Sequence, residues 1–96
     1  MYILVAYDVA TSSPAGARRL RRVAKTCLDY GQRVQNSVFE CKLDPALFVE
    51  FKSRVLAEID GSKDSIRIYH LGNNWQQRVE HFGKNTDYNV EGTLLI

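Results

Sequence analysis

The chain begins with a run of apolar, strand-forming residues that stops at a single carboxylate. Residues 1–8 read Met-Tyr-Ile-Leu-Val-Ala-Tyr-Asp, and this run predicts a buried β-strand that ends at Asp8. A carboxylate at the end of a strand lies at the rim of a sheet, where a hard cation or a basic helix could meet it. Aspartate is also common wherever strands end, as a residue that only turns or caps the chain. The pattern leaves both interpretations open.

A helix is predicted to follow this strand. Small polar residues and Pro14 are typical of a helix start, and Gly31 marks its end after Tyr30. Apolar residues recur three and four positions apart and predict the stripe that packs on the sheet. These residues are Ala17, Leu20, Ala24, Cys27 and Leu28.

The basic residues are concentrated on this helix and just beyond it. The net charge of +2 is too small to indicate a nucleic-acid-binding protein by itself. Between residues 18 and 33, however, six cations stand against one acid, Asp29. The six are Arg18, Arg19, Arg21, Arg22, Lys25 and Arg33. At about 100° per residue, the helix cations lie opposite the apolar stripe or on its flanks. This face must therefore meet solvent or a polyanion.

The rest of the chain predicts further strands and a second helix. Residues 33–43 are strand-like, but their alternation breaks, which predicts a bulge or a reversal near residues 37–40. A second helix is predicted from Asp44-Pro45 to about Ile59, with Phe48, Phe51, Val55 and Ile59 as its buried stripe. Residues 64–71 predict a strand, and residues 77–82 a short one. The residues alone thus predict β-α-β-α-β, followed by the possible short strand and a terminal arm.

The last four residues form a short apolar segment after about ten polar ones. Such a terminal strand pairs with its own sheet or with a second subunit. We expect the second, because a small domain gains buried area by exchanging a strand within a two-fold dimer.

Composition narrows the class of protein. The length of 96 residues predicts one domain. No apolar run reaches the ~20 residues of a membrane helix, and no signal peptide precedes the first strand, so we expect a cytoplasmic protein with no membrane contact.

Cys27 and Cys41 are predicted to be core side chains rather than a disulfide. His70 and His81 have no partner at metal-ligand spacing. Lys63 and Arg67 could extend the basic surface, but Asp60 and Asp64 nearby favour local ion pairs.

Taken together, four segments resemble a known family. They are the strand ending in Tyr7-Asp8, the arginine-rich helix ending in Asp29-Tyr30-Gly31, residues 33–40 (Arg-Val-Gln-Asn-Ser-Val-Phe-Glu), and residues 64–69 (Asp-Ser-Ile-Arg-Ile-Tyr). The chain is similar in these segments to the CRISPR-associated family Cas2, small nucleases of spacer acquisition. The third segment is the most specific. The length and the arginine pattern look closest to the short bacterial members of type I-C systems.

The resemblance implies an α+β fold, a ferredoxin-like βαββαβ sandwich over residues 1–82. Residues 83–96 would form a dimerisation arm, with an extra C-terminal strand exchanged in a homodimer. The exchanged strand comprises Thr93, Leu94, Leu95 and Ile96. The break in alternation near Ser37 is where the family's second and third strands would divide.

The resemblance also implies an activity and its partners. The family consists of metal-dependent endonucleases acting on RNA or DNA, and it bridges two CRISPR integrase dimers on protospacer duplex DNA. Asp8 matches the metal-binding and catalytic position, so two Asp8 carboxylates in a dimer would hold Mg²⁺, with Mn²⁺ as a possible substitute. Arg33 and Phe39 fall on positions of the family string, and Tyr7 and Ser37 would support the site, although a strand tyrosine can equally be packed. No general base is evident, so a purely non-catalytic DNA-binding scaffold is the alternative function.

Overall fold

The structure, a computed structural model, describes residues 1–72 and 79–84. Within these residues five strands and two helices follow one another along the chain: β1 (Tyr2–Asp8), α1 (Pro14–Tyr30), β2 (Gly31–Gln35), β3 (Val38–Lys42), α2 (Pro45–Glu58), β4 (Ser65–Leu71) and β5 (Val79–Gly83). The predicted α+β class and βαββαβ order are confirmed, with β5 added. The predicted exchanged strand, Thr93 to Ile96, lies outside the described residues.

The strands of the described residues form one antiparallel sheet in the order β2-β3-β1-β4-β5. Both helices pack on the same face of it, which we call the inner face. Along β1 the side chains alternate as a pleated strand requires: Ile3, Val5 and Tyr7 are buried on the inner face, and Asp8 is exposed. No element of the described residues covers the opposite, outer face.

The break in alternation after residue 33 is a reversal of the chain. β2 and β3 form a hairpin around Asn36-Ser37, and the register shifts between Arg33 and Gln35. The turn allows Phe39 and Cys41 of β3 to face inward, where both are fully buried. The reversal alternative is therefore confirmed, and the register shift lies a few residues before it.

The predicted apolar stripe of α1 is wrong at two positions, because it included Leu28 and left out Val23. Ser13 caps the helix, because its Oγ accepts a hydrogen bond of 3.1 Å from the backbone N–H of Gly16. Val23 and Cys27 are fully buried, whereas Leu28 is 53% exposed, so the prediction that Leu28 packs on the sheet was wrong. The buried stripe is centred on Val23, and Leu28 lies about 100° around the helix from Cys27.

The second helix and the cysteines match the predictions. Phe48, Phe51 and Val55 of α2 are buried in the core. Cys27 and Cys41 are buried free thiols, as predicted. Burial raises the pKa of Cys27 to about 12 and that of Cys41 to about 11. Neither helix of the described residues is long and apolar enough to cross a membrane.

Gly83, the last residue of β5, has a backbone that only glycine tolerates well. Its φ is +94°, and a Cβ atom there would overlap the carbonyl oxygen of Asp64. That carbonyl also accepts a hydrogen bond of 2.7 Å from the N–H of Lys84. The end of β5 is thus closely fitted to the start of β4.

Replacing Gly83 by alanine should destabilise the fold. We expect the free energy of unfolding to fall by about 2 kcal/mol or more, because positive φ and the overlap with Asp64 both oppose a Cβ atom. Urea denaturation measures the change. Gly61→Ala is the matched control, since nothing lies within 4 Å of its added Cβ; equal effects of the two substitutions would contradict the prediction.

Candidate functional site

Asp8 is the last residue of β1 and is exposed on the outer face. Its cross-strand partner on β4 is Ser65. No side chain of residues 1–72 and 79–84 forms an ion pair with the Asp8 carboxylate within 4.0 Å. This carboxylate is therefore available to a ligand as far as the described residues are concerned.

The chain that leaves Asp8 is held in place two residues later. The backbone N–H of Ala10 donates a hydrogen bond of 3.1 Å to Oδ1 of Asp64. The carbonyl oxygen of Ala10 lies so close to Gly16, in the first turn of α1, that a Cβ atom at Gly16 would overlap it. Only glycine permits this approach between the loop and the helix. The direction in which the backbone leaves the strand is thereby fixed.

Asp64 is a fully buried carboxylate that binds three segments of the chain. Besides Ala10, it accepts hydrogen bonds from Arg19 (Nε at 2.7 Å and Nη2 at 3.2 Å) and from the backbone N–H of Asp60 at 2.8 Å. Burial by itself would raise the pKa of Asp64, but the bonds from Arg19, Asp60 and Ala10 outweigh it and lower the pKa below its usual value. Asp64 is therefore ionised at neutral pH.

The position of Arg19 changes its predicted role. It was expected to contact nucleic acid with the other α1 cations, but its guanidinium forms two hydrogen bonds to Asp64 and its side chain is 18% exposed. Arg19 therefore serves the fold, joining α1 to the start of β4. Its contact with phosphate has no support in this geometry.

The remaining cations of α1 lie where they were predicted. Arg18, Arg22 and Lys25 are exposed on the side of α1 that faces away from the sheet, and Arg21 is exposed at its flank. Lys25 is 3.7 Å from Asp29, an exposed pair of small energetic value. The cationic face of α1 thus remains available for phosphates, and that contact stays a prediction.

Arg21 and Arg33 border an open cleft of about 430 Å³ between α1 and the β2–β3 hairpin. Tyr7 and Ser37 form part of its wall. The Arg33 guanidinium lies 5.0 Å above the centre of the Phe39 ring, which orients it by a cation–π contact. The cleft places two guanidinium groups together at one edge of the inner face.

Tyr7 and Phe39, two predicted supporting residues, are packed in the core. Their rings stack with centroids 6.0 Å apart. The Tyr7 hydroxyl donates to the carbonyl of Asn36 at 3.3 Å, and the Tyr7 N–H donates to the carbonyl of Ser37 at 3.1 Å. Burial raises the pKa of Tyr7. Tyr7 faces inward and Asp8 outward, so the structure favours packing over direct contact with the Asp8 carboxylate.

Whether this site suits a metal ion depends on the ligand atoms that its side chains offer. No group of three or more metal-ligating side chains occurs among the described residues. One chain offers the exposed carboxylate of Asp8, and carboxylate oxygen is the ligand type that Mg²⁺ prefers. The chemistry of the donor fits, but one chain provides only one such ligand in this region.

Two interactions were missed or misassigned from the sequence. Asp64 and Arg67 were expected to take part in local ion pairs. Instead, Asp64 pairs with Arg19, 45 positions away, and the Nε of Arg67 donates to Nδ1 of His81 at 3.2 Å. The one sequence signal for Asp64 was an acid directly before an apolar strand, which is also typical of a turn.

Fold and site together define a small ferredoxin-like α+β domain with an exposed carboxylate at the end of its first strand and a cationic first helix. The family model described as CRISPR associated protein Cas2 matches residues 1–79. The chain belongs to the Cas2 family.

Individual relatives agree with this assignment. A protein of Chlorobaculum tepidum named CRISPR-associated endoribonuclease Cas2 is 58% identical over 96 residues, covering 100% of both chains. One of Halalkalibacterium halodurans named CRISPR-associated endonuclease Cas2 is 50% identical over the same full lengths. The crystal structure of Streptococcus pyogenes Cas2 at pH 6.5 is similar with a TM-score of 0.71 and 64% identity, covering 83% of this chain and 96% of that one. The resemblance is confirmed, and the type I-C assignment stays a prediction.

Replacing Asp64 by asparagine should destabilise the protein by about 3 kcal/mol, because it leaves Arg19 without its buried counter-charge. Urea denaturation at neutral pH measures the change. The folded-state pKa of Asp64 is lowered, so its stabilisation is present above the unfolded value of about 3.9 and is lost as the pH falls through the folded value. The difference in the free energy of unfolding between wild type and Asp64→Asn should therefore become smaller below about pH 4.

Asp29→Asn is the matched control for this substitution. Asp29 forms exposed ion pairs with Arg54 and Lys25, so its replacement should cost less than about 1 kcal/mol. A cost at Asp64 no greater than at Asp29 would show that the buried pair does not stabilise the fold.

Proposed function

We propose that this protein is a metal-dependent endonuclease of CRISPR spacer acquisition that hydrolyses phosphodiester bonds of RNA or DNA as a homodimer. The observation that carries the proposal is the exposed Asp8 carboxylate, which ends β1 on the outer face. The names of the full-length relatives, one an endoribonuclease and one an endonuclease, support internal cleavage of a nucleic acid.

The proposed site requires two chains. If two outer faces meet about a two-fold axis, the Asp8 carboxylates of both chains can hold one Mg²⁺, or Mn²⁺ in its place, from opposite sides. A metal held there would activate a water molecule and stabilise the charge of the leaving oxygen. The proposed arm, with Thr93 to Ile96 as the exchanged strand, would hold the dimer together.

The exposed cations on the helix side of the sheet would bind the sugar-phosphate backbone. Arg18 and Arg22 stand one turn apart on α1 and are both exposed, so they can contact neighbouring phosphates of one strand. Arg21 and Arg33 add two guanidinium groups at the cleft. Phosphate contacts of this kind position a duplex without reading its sequence.

A non-catalytic scaffold is the second candidate function, and one observation favours it. The cationic face of α1 and the Asp8 carboxylate lie on opposite sides of the sheet, so a duplex bound along α1 does not pass over Asp8. In this alternative the dimer grips protospacer DNA and bridges two integrase dimers in the cytoplasm, without cleaving anything.

Replacing Asp8 by asparagine separates these two functions. If Asp8 holds the metal, Asp8→Asn should lower the cleavage rate at saturating Mg²⁺ by about 100-fold or more, since one metal ligand is lost from each chain. Duplex affinity should change little. A titration of Mg²⁺ and of Mn²⁺, following both cleavage and duplex binding, measures the two effects.

Glu58→Gln is the control, because it converts another carboxylate to an amide at the end of α2, away from the outer face. Cleavage that persists in rigorously purified Asp8→Asn would end the endonuclease proposal and leave the scaffold.

A second prediction concerns the cationic face. Replacing Arg18 and Arg22 together by glutamine should weaken duplex binding for every sequence tested. Each lost phosphate contact removes about 0.9 from the slope of log affinity against log salt, so the slope should flatten by about 2 for each subunit whose α1 contacts the duplex. Fluorescence anisotropy over a salt series measures it. Lys42→Gln with Lys63→Gln removes the same charge elsewhere and should leave the slope nearly unchanged; an equal change in both double variants would argue against contact through α1.

A further inference from the structure

The cleft between α1 and the β2–β3 hairpin has an apolar wall, which phosphate binding alone does not require. Leu20 and Ala24, one turn apart on α1, form this wall and are partly buried against the core. Asn36 and Ser37, in the turn of the hairpin, border the same cleft. Their amide and hydroxyl groups can both donate and accept hydrogen bonds. The cleft therefore offers contacts to an apolar surface and to polar edges together.

The cleft stays open when two outer faces meet. Arg33 is the cross-strand partner of Phe39, which is buried on the inner face. Directly opposite residues project to the same side of a sheet, so Arg33 lies on the helix side. Tyr7, part of the cleft wall, also faces inward. A dimer formed through the outer faces does not cover this side of the sheet.

The guanidinium of Arg33 is held by an aromatic ring and not by an acid. It lies 5.0 Å from the centre of the Phe39 ring, and its residue is exposed. No carboxylate of residues 1–72 and 79–84 lies within 4.0 Å of Arg33 or Arg21. A guanidinium plane is a surface on which an unpaired base can stack.

The size and position of the cleft suit a single nucleotide. Its volume of about 430 Å³ lies within the range of about 300–1,000 Å³ that is usual for small-molecule sites. The bases of a duplex are paired and stacked, whereas an unpaired base can turn outward into such a site. Arg21 is exposed, borders the cleft and is one turn from Arg18. A backbone that follows the α1 cations therefore passes the cleft.

We propose that this cleft binds one unpaired nucleotide of RNA or DNA. Its base lies against the apolar wall of α1 and the plane of Arg33, and its phosphate contacts Arg21. The hairpin turn contacts the edge of the base. The inference rests on the proposed function, in which the α1 cations bind a nucleic-acid backbone, and it adds that the protein distinguishes unpaired nucleotides from paired ones.

Probes that differ only in their bases test the site on the wild-type protein. Fluorescence anisotropy without metal compares a short labelled single strand of DNA, the same strand with its bases removed, and a blunt duplex of the same length. We expect the intact strand to bind about tenfold more tightly than the abasic strand, because the base contact is lost in the second. Equal affinities for the two strands would overturn the proposal.

Ala24→Leu fills the cleft without changing any charge. The intact strand should then bind about tenfold more weakly, close to the abasic strand, while the abasic strand and the duplex bind nearly as before. Ala57→Leu, the same change at an exposed alanine of α2, is the matched control and should alter none of the three affinities. Two results oppose the proposal: equal affinities of the two variants for the intact strand, and an Ala24→Leu protein that binds all three probes equally weakly.

Asn36→Ala tests the hairpin turn without adding bulk to the cleft. It keeps the backbone carbonyl of residue 36, which accepts the hydrogen bond from Tyr7, so the fold should be retained. The intact strand should bind about threefold more weakly or less tightly still, because a hydrogen bond to the base is lost, and the abasic strand should not respond. An equal response of both strands, or none, would contradict a contact between the turn and the base.

Two further probes identify the source of the nucleotide. The intact strand made as RNA, and a duplex with single-stranded overhangs, show which nucleic acid gains affinity from the cleft and loses it in Ala24→Leu. Failure of the endonuclease proposal would appear separately, as absence of cleavage by wild type with Mg²⁺, while the difference between the intact and abasic strands persists. Failure of the backbone contact along α1 would appear as an unchanged salt slope in the Arg18 and Arg22 double variant.

Discussion

The geometry around Asp8 depends on a buried charge that does not touch it. The carboxylate of Asp64 is removed from water and compensated by donors from the loop after β1, from α1 and from the turn before β4. An uncompensated charge at such a place is costly, so these three segments cannot separate without losing their common partner. Because β4 begins at the next residue and pairs with the end of β1, this anchor sets the position of Asp8 indirectly.

The sheet divides the charged residues into two groups with different surroundings. Tyr7 and Asp8 are neighbours in sequence, but the pleat sends the first into the core and the second to the outer face. The α1 cations and Arg33 belong to the inner side, and Arg67 belongs to the side of Asp8. A register shift of one residue would exchange these environments, so the pairing of β1 with its neighbours is as much a part of the site as any side chain.

Most of the fold could be predicted from local patterns, and the pairing of charges could not. The period of α1, the proline at the start of each helix and the break near Ser37 report local geometry, which a short window of sequence contains. Leu28 was misplaced because several stripes fit the same spacing and only the contact with the sheet selects the one centred on Val23. Two side-chain pairings, Arg19 with Asp64 and Arg67 with His81, depend on which strands become neighbours. A charge-rich segment of sequence therefore does not show which of its cations pair with other side chains of the fold.

The two natural cysteines bear on how this protein can be studied. A thiol reacts with maleimides as its thiolate, and burial together with the raised pKa keeps Cys27 and Cys41 protonated and out of reach in the folded state. A cysteine introduced on the surface can therefore carry a fluorophore or a spin label selectively, with both native residues left in the core. Distances between labels on two copies of the chain then become measurable without altering the packing beneath the sheet.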